Sequence, residues 1–463
     1  MRVFLIQAAT YFPETEKCFP VGLLQLAAYL RDRAGHEVGV FDMQPDVRSP
    51  EPVLRALQAF RPEVVGISAL STDARVLHAV AAAVKQARPD LPIMAGGAHP
   101  TTYPENTLSP GQVDYVIAGE GELGAAALLR YLAGEITRDD VPNLVVRDDG
   151  RLVRNAPAPW IENLDALPFA AYDLLDLEPF YRIPRTGVIW ARRRYAAVAT
   201  SRGCPYHCAY CHQILGKKYR PRSPAHVVTE LRQLVERHRI GEIVFVDDMF
   251  NLQRERVQEL CRLMCEAGLD LKLAFPIGLR GDIMDEETVR ALVGAGMFRC
   301  MYAVETASPR LQSLIGKNLA IDKVMDIIEV TNRYGVLTHG TFMLGFPSET
   351  EAEARATVDL ACRSKLATAA FFRVIPFGDT PLVELARQYG AKLPADFECY
   401  EFHKSKINIS TMTDAVLDRI KKRAYLRFYL NPRRIGRILF RLPRWTSNLP
   451  RLVAMWVRKS FFW

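Results

Sequence analysis

Along the first 135 or so residues the apolar positions switch between two periods. The short runs RVFLIQA (2–8), EVGVFDM (37–43), VVGISAL (64–70), PIMAGG (92–97) and DYVIAGEGE (114–122) read as strands. Between them, stretches such as VGLLQLAAYLRDRAG and ARVLHAVAAAVKQARPD carry apolar residues at helical spacing. This alternation predicts right-handed βαβ units and a parallel, doubly wound sheet. Such sheets bind ligands beyond the carboxyl ends of their strands. The residues that fall there are SALSTD (68–73), GGAHPTTYP (96–104) and GEGE (119–122).

From about 140 to 190 the periodicity gives way to a Pro- and Asp-rich stretch, NAPAPWIENLDALPFAAYDLL, read as an ordered strap between domains. A second βα series then starts at AAVATSRG and runs through EIVFVDD, LKLAFPIGLRGD, RCMYAVET, LTHGTFMLGFP and AAFFRVIPF. Six units are too few for a closed eight-stranded barrel, so an open, partial (β/α)6 barrel is expected, with functional groups at the carboxyl ends of its strands. The expected division is 1–138 for the doubly wound domain, 139–190 for the linker, 191–390 for the partial barrel and 391–463 for a helical region with a basic amphipathic tail.

Composition refines this picture in two places. The formal charge of +8 is concentrated: residues 419–463 hold thirteen Lys and Arg and no Asp or Glu, and the rest of the chain carries 47 basic against 52 acidic side chains. That tail, rich also in Trp, Phe and Tyr, fits an anionic membrane surface or a lipid-like substrate better than nucleic acid, for which no module is recognisable; the other reading is a solvated, partly ordered tail that packs over the barrel mouth. No apolar run is long enough to span a bilayer, and the opening MRVFLIQAAT reads as a first strand rather than a signal. A reducing cytoplasm is therefore expected, with peripheral contact at the inner face of the membrane through the tail. In that setting Cys18, Cys261, Cys265, Cys300, Cys362 and Cys399 read as plain buried thiols.

The remaining three cysteines stand apart. SRGCPYHCAYCHQ (201–213) places Cys204, Cys208 and Cys211 in a CxxxCxxC loop directly after a strand. Three thiolates can hold three corners of a [4Fe–4S] cube and leave the fourth iron open to an exogenous chelate. The triplet alone also allows zinc, with His207 or His212 as the fourth ligand. The segments that follow favour the cube, because in order and spacing they resemble the radical S-adenosylmethionine (SAM) superfamily. The resemblance implies a SAM site made by Tyr210 in the cysteine loop, Asp247 and Asp248 of FVDDMF, Arg280 of GLRGD, Glu305 of YAVETAS, and Gly345 and Pro347 of MLGFPSET. Arg280 would hold the SAM carboxylate by its planar donor fork; the two aspartates stand where relatives hold the ammonium, and Glu305 where they bond the ribose.

The first domain resembles the cobalamin (B12)-binding domain that precedes the barrel in one large subgroup, and the two resemblances cover roughly residues 1 to 390. They imply cobalamin contacts from Ser68, Leu70, Ser71 and Thr72, from Gly96, Gly97, His99, Pro100 and Thr101, and from Gly119, Glu120, Gly121 and Glu122. The DxHxxG motif that supplies a histidine to cobalt is absent. Base-off cobalamin without a protein histidine is expected, with His99 lining the ligand edge; a scaffold that has lost the cofactor is the competing reading.

Taken together, the resemblance implies a [4Fe–4S] enzyme that uses SAM, cobalamin and an electron donor such as flavodoxin or ferredoxin. It would methylate an unactivated carbon of a small-molecule or lipid-like substrate. Oxidative cyclisation or ring rearrangement with the same cofactors is the alternative, and a non-catalytic cobalamin- or metal-binding protein is the alternative of another class. A tRNA methylthiotransferase is disfavoured, because only Cys18 precedes the cluster loop.

Overall fold

The structure is a computed structural model that describes residues 1–9, 17–45, 47, 49–183, 189–378, 380–393 and 407–457. It forms two units, Met1–Arg185 and Thr186–Trp463.

In the first unit β1 (Arg2–Gln7) is followed by α1 (Val21–Asp32), β2 (Glu37–Asp42), α2 (Glu51–Phe60) and β3 (Val64–Ser68). Next come α3 (Ala74–Ala87), β4 (Ile93–Gly96), the short helices α4 (Ala98–Thr102) and α5 (Pro104–Leu108), β5 (Tyr115–Ile117) and α6 (Gly121–Leu132). A hairpin of β6 (Leu144–Asp148) and β7 (Arg151–Arg154) completes the sheet, whose order is β2-β1-β3-β4-β5-β6-β7. The strands β1 to β5 pair in parallel. Because side chains alternate across a strand, β1 sends Phe4 and Ile6 into one core and Val3 and Leu5 into another, one on each face. The strand order reverses between β1 and β3, which is the switch point where open sheets of this order bind ligands.

The stretch read from sequence as a connector therefore begins with two strands of the first sheet. NLVVRDDGRLVR alternates apolar and polar residues around Asp149 and Gly150, whose φ values of 45° and 77° make the tight turn that suits a two-residue hairpin. Proline-rich sequence downstream masked that signal.

The second unit holds β8 (Tyr195–Val198), the two-residue strands β9 (Ser201–Arg202) and β10 (Arg220–Pro221), α7 (Pro224–His238), β11 (Glu242–Phe245) and α8 (Arg254–Glu266). It continues with β12 (Lys272–Leu279), α9 (Glu286–Gly294), β13 (Met297–Glu305), α10 (Pro309–Leu314), α11 (Ile321–Arg333) and β14 (Leu337–Leu344). Then follow α12 (Glu351–Arg363), β15 (Thr368–Arg373), α13 (Pro381–Gln388), α14 (Asp414–Tyr429), α15 (Pro432–Arg441) and α16 (Trp445–Val457). Six strands form one parallel sheet in the order β15-β14-β13-β12-β11-β8, as the six βα repeats predict. The pair β9/β10 is antiparallel and closes the root of the cysteine loop.

The basic segment is more integrated than its composition foretold. On the edge strand β15 the backbone N–H groups of Ala369 and Phe371 donate to the hydroxyls of Tyr429 and Tyr425, each at 3.0 Å. Those hydroxyls donate back to the Ala369 and Phe371 carbonyls at 2.8 and 3.4 Å. Tyr425 and Tyr429 are one helical turn apart on α14, so one helix face covers the edge. Arg434 of α15 is wholly buried, donating to the carbonyls of Leu366, Phe428, Cys362 and Ser364. Two of these, Cys362 and Ser364, are at the end of α12, whose last carbonyls lack partners within the helix. Cys261 and Cys300 are buried, whereas Cys265 is exposed on the outer face of α8, against expectation. Cys399 and residues 458–463 lie outside the described residues.

Candidate functional site

The cysteine loop leaves β8 through Thr200 and Ser201, and both are held by one carboxylate. Asp247 Oδ1, just past β11, accepts from Thr200 N at 2.9 Å, Thr200 Oγ1 at 2.8 Å and Ser201 Oγ at 2.6 Å. Burial pushes the Asp247 carboxyl up against these bonds. Arg256 adds bonds to the Thr200 and Arg222 carbonyls. Two residues past Ser201, Gly203 has φ 80°, and a Cβ there would lie 2.2 Å from the Lys218 carbonyl oxygen. Only glycine fits before the first cysteine.

Past that point the loop is pinned by backbone. Cys204 N donates to Gly216 O at 3.3 Å, Ala209 N to Ile315 O at 2.8 Å, and Leu382 N to Ala209 O at 2.9 Å. Cys204, Cys208 and Cys211 are all free thiols of intermediate exposure. Burial, with Asp248 next in weight, pushes Cys211 up to about 11, and burial raises Cys204 as well. Loss of the thiol protons therefore needs compensating positive charge, which a bound iron cluster supplies. Three thiols on a rigid loop, with no fourth cysteine in it, fit a cube with one open corner. Among the described residues no three His, Cys, Asp or Glu side chains converge on one point; the thiolates of a cube sit on separate irons and need not converge.

Beneath the loop lies a charged chain that the motifs only partly revealed. Glu305 ends β13 with φ 67°, a left-handed conformation rare outside glycine and held here by its surroundings. Its Oε1 accepts from Lys317 Nζ at 3.0 Å and from the Tyr210 hydroxyl at 3.3 Å, and Lys317 Nζ also donates to Tyr210 at 3.1 Å. The ion pair is buried, with side-chain exposures of 9% and 8%. The Lys317 carbonyl accepts from Arg280 Nη2 at 3.1 Å. Arg280 also pairs with Asp282 at 2.9 Å and stacks its guanidinium 3.8 Å from the Tyr206 ring centre. Lys317 went unremarked in the sequence, although a single cation inside the apolar run LQSLIGKNLAI is a signal of burial with a partner.

Asp248 is partly exposed and faces His212 Nε2 at 4.0 Å; burial raises its carboxyl, with His212 and then Lys217 opposing. Gly345 has φ 94°, and a Cβ there would meet Leu417 of α14 at 3.1 Å. Its amide and that of Phe346 donate to Glu349 Oε2, at 2.5 and 3.1 Å. Glu349 is fully buried and is pushed up to about 7 by that burial. It was not foreseen, although the acid stands four residues after the glycine. Pro347 is buried beside this turn.

The first unit gathers its predicted residues at the carboxyl ends of β3, β4 and β5. Ala69 N donates to Gly96 O, and His99 N to Ala69 O at 3.0 Å, so the 68–73 and 96–101 loops are stitched together. Gly97 has φ 88°, and a Cβ there would come within 2.9 Å of Ser68 Oγ. Thr101 Oγ1 accepts from Gly119 N at 3.0 Å, joining the third loop. Leu70 projects with 56% exposure, while Ser71 and Thr72 begin a short 3-10 turn and Pro100 is buried in α4. His99 is fully buried, its Nε2 lies 2.9 Å from Asn106 Oδ1, and burial lowers its pKa to about 4. Glu120 accepts from Ile161 N of the strap at 3.2 Å, and Gly121 and Glu122 start α6.

Comparison with known proteins agrees with this architecture. The B12 binding domain family matches residues 15–129 and the Radical SAM superfamily matches residues 198–361. An uncharacterized methyltransferase of Pyrococcus horikoshii is 28% identical over 91% of this chain and 90% of its own length. Cytidylyl-2-hydroxyethylphosphonate methyltransferase of Streptomyces wedmorensis is 28% identical, covering 83% of this chain and 82% of that protein. Anaerobic magnesium-protoporphyrin IX monomethyl ester cyclase of Rubrivivax gelatinosus is 25% identical over 89% and 74%. Among solved structures the radical SAM methyltransferase TsrM of Kitasatospora setae shares the fold, with TM-score 0.70 and 22% identity over 85% of this chain and 77% of that one. The cobalamin-dependent radical SAM enzyme OxsB does so with TM-score 0.69 and 19% identity; the match covers 84% of this chain but 55% of OxsB. With a B12 binding domain followed by a Radical SAM domain, the chain is a B12-binding-domain-containing radical SAM protein.

Proposed function

We propose that the protein transfers a methyl group to an unactivated carbon of a lipid or small secondary metabolite. The observation that carries this reading is the CxxxCxxC loop at the end of the first barrel strand, in a chain that also bears the B12-binding domain. When bound, the cluster and SAM supply a 5′-deoxyadenosyl radical, and cobalamin supplies the transferable methyl group.

The chain's own residues hold and orient. Cys204, Cys208 and Cys211 ligate the cluster, on a loop fixed by Gly203, Asp247 and the Ile315 and Leu382 contacts. Asp248, with its carboxylate facing the loop's His212, is assigned to the SAM ammonium; Asp247, already accepting three bonds, is assigned to the loop itself. Arg280 is assigned to the SAM carboxylate, although its fork already serves Asp282 and the Lys317 carbonyl, so one remaining edge does this work. Glu305 is assigned to the ribose, with Lys317 and Tyr210 fixing one of its oxygens. The Gly345–Pro347 turn is assigned to the adenine. In the first unit the glycines and backbone of the three stitched loops, together with exposed Leu70, would hold cobalamin. The burial of His99 and its Asn106 bond support cobalamin held without a protein histidine. The barrel keeps water away and aligns one C–H bond.

The test is a reaction of anaerobically reconstituted protein with cobalamin, SAM and a low-potential one-electron reductant. Mass spectrometry quantifies 5′-deoxyadenosine and S-adenosylhomocysteine together. Both products are expected. 5′-Deoxyadenosine without S-adenosylhomocysteine points instead to cyclisation, the activity in the name of the Rubrivivax relative. Neither product, from protein that holds its iron and cobalamin, points to a binding protein.

A further inference from the structure

The segment beginning at Arg419 has an inner face with a clear structural job and an outer face with none in the proposed reaction. On the inner side Arg434 is buried among backbone carbonyls, and Ile438, Leu442 and Leu452 share a core with Ile189, Leu337 and Ala367. The helices are thus fixed, and their outer side chains are presented rigidly. Leu430, Ile435, Phe440, Trp445 and Val453 are exposed there, Phe440 at 94%. Arg433 precedes Phe440 by two helical turns, so both lie on one face of α15.

On α14, Arg419, Arg423, Leu426 and Leu430 recur at helical spacing and make a single stripe, basic at one end and apolar at the other. Arg423, Leu426 and Leu430 also line a groove of about 750 Å³ together with Val358, Asp359, Ile420, Arg355 and Arg427, in which Arg427 is paired with Asp359 and Arg355 with Glu351. Its apolar side chains, with Arg423 at the end of the stripe, match a ligand that is greasy at one end and anionic at the other. No helix among the described residues is long and apolar enough to cross a membrane.

We propose that this face docks the protein on an anionic phospholipid surface. Leu430, Phe440 and Trp445 enter the headgroup region, and Arg419, Lys422, Arg423 and Arg433 meet lipid phosphates. Charge is the reason for choosing lipid: Arg419, Lys422, Arg423 and Arg433 are exposed in a segment that holds no acid after position 418, while the chain before it is net negative. An acidic bilayer attracts this face and repels the rest. Exposed apolar side chains flanked by Arg are the composition that inserts shallowly into an interface.

Flotation of the full chain with phosphatidylcholine vesicles, with and without phosphatidylglycerol, tests the proposal. The protein is expected to float only with the acidic vesicles and to be released by salt. Phe440→Ser should weaken vesicle binding about tenfold. The double variant Arg419→Gln/Arg423→Gln should weaken it about twentyfold. Both should keep wild-type iron loading and melting temperature. Equal flotation with neutral vesicles, no flotation of the wild type, or unchanged binding by these folded variants overturns the proposal. So does a wild-type dimer that Phe440→Ser dissociates, which assigns the face to a second copy, or single-stranded RNA binding tighter than acidic vesicles.

Discussion

Beyond the strand ends of the first sheet the loops meet through glycines and backbone amides, with the buried carboxylates of Glu120 and Glu122 at the third loop; beyond those of the second lie thiols, and carboxylates and cations already bonded to one another. Gly97, Gly119 and the Ala69–His99 stitch shape a surface without adding charge. The Tyr210–Glu305–Lys317 and Arg280–Asp282 groups form a buried electrostatic lattice. The difference follows from what each must hold. A large rigid cofactor gripped by shape needs close backbone approach, which glycine permits. A cluster bound covalently, next to a charged co-substrate, needs ligands at fixed positions and counter-charges that do not move.

Four substitutions sharpen or break that contrast, in decreasing order of effect. Cys208→Ala should abolish both iron loading and SAM cleavage and leave cobalamin uptake by the first unit intact. Retained cleavage, read by 5′-deoxyadenosine release, removes the cluster assignment. Lys317→Met strands a buried carboxylate and should cost about 3–5 kcal/mol of stability. In protein that still folds it should raise the KM for SAM more than it lowers iron content, with Lys317→Arg partly restoring it; a loss of stability alone, with KM unchanged, makes the lysine structural only.

Glu349 provides the third test, through pH. Its folded pKa of about 7 stands above the 4.5 of an ordinary glutamate. The unfolded chain therefore ionises first, and stability contributed by the neutral acid falls as pH rises from about 4.5 to 7, then levels. Glu349→Gln should flatten that part of the profile and raise stability at pH 8 by about 2 kcal/mol. An unchanged slope in thermal melts across this range contradicts it. The smallest effect belongs to the first unit: Gly97→Val, strained at positive φ and crowded by Ser68, should weaken cobalamin binding about tenfold. Iron loading should not change; if cobalamin affinity is also unaffected, the glycine cradle is not the cofactor's seat.

The same contrast explains what could be read from the sequence. Strand and helix succession in both units followed from periodicity, because parallel strands buried on both faces are continuous apolar runs. The cysteine loop was legible because metal ligation demands fixed residue types at fixed spacing. Lys317 and Glu349 were not, since each acts through a partner brought near by the fold: Lys317 through Glu305, twelve residues earlier and across a helix, and Glu349 through backbone amides. The 144–154 hairpin was missed although Asp149-Gly150 announces it, because the proline-rich stretch after it dominated the reading. The tail was read by composition alone, and composition cannot tell an arginine facing solvent from Arg434, which lies wholly inside.

The tyrosine pair on α14 has a consequence for how such a sheet can stop. A parallel sheet that ends after six strands leaves a row of backbone groups able to recruit a strand from any neighbouring chain. Tyr425 and Tyr429 imitate that missing strand with two phenols, each serving as donor and acceptor to a single residue. The helix thereby acts as a plug against edge-to-edge polymerisation once it has followed the sixth strand and packed onto it. A chain cut before Asp414 should assemble edge to edge, however well its cofactor loops are formed.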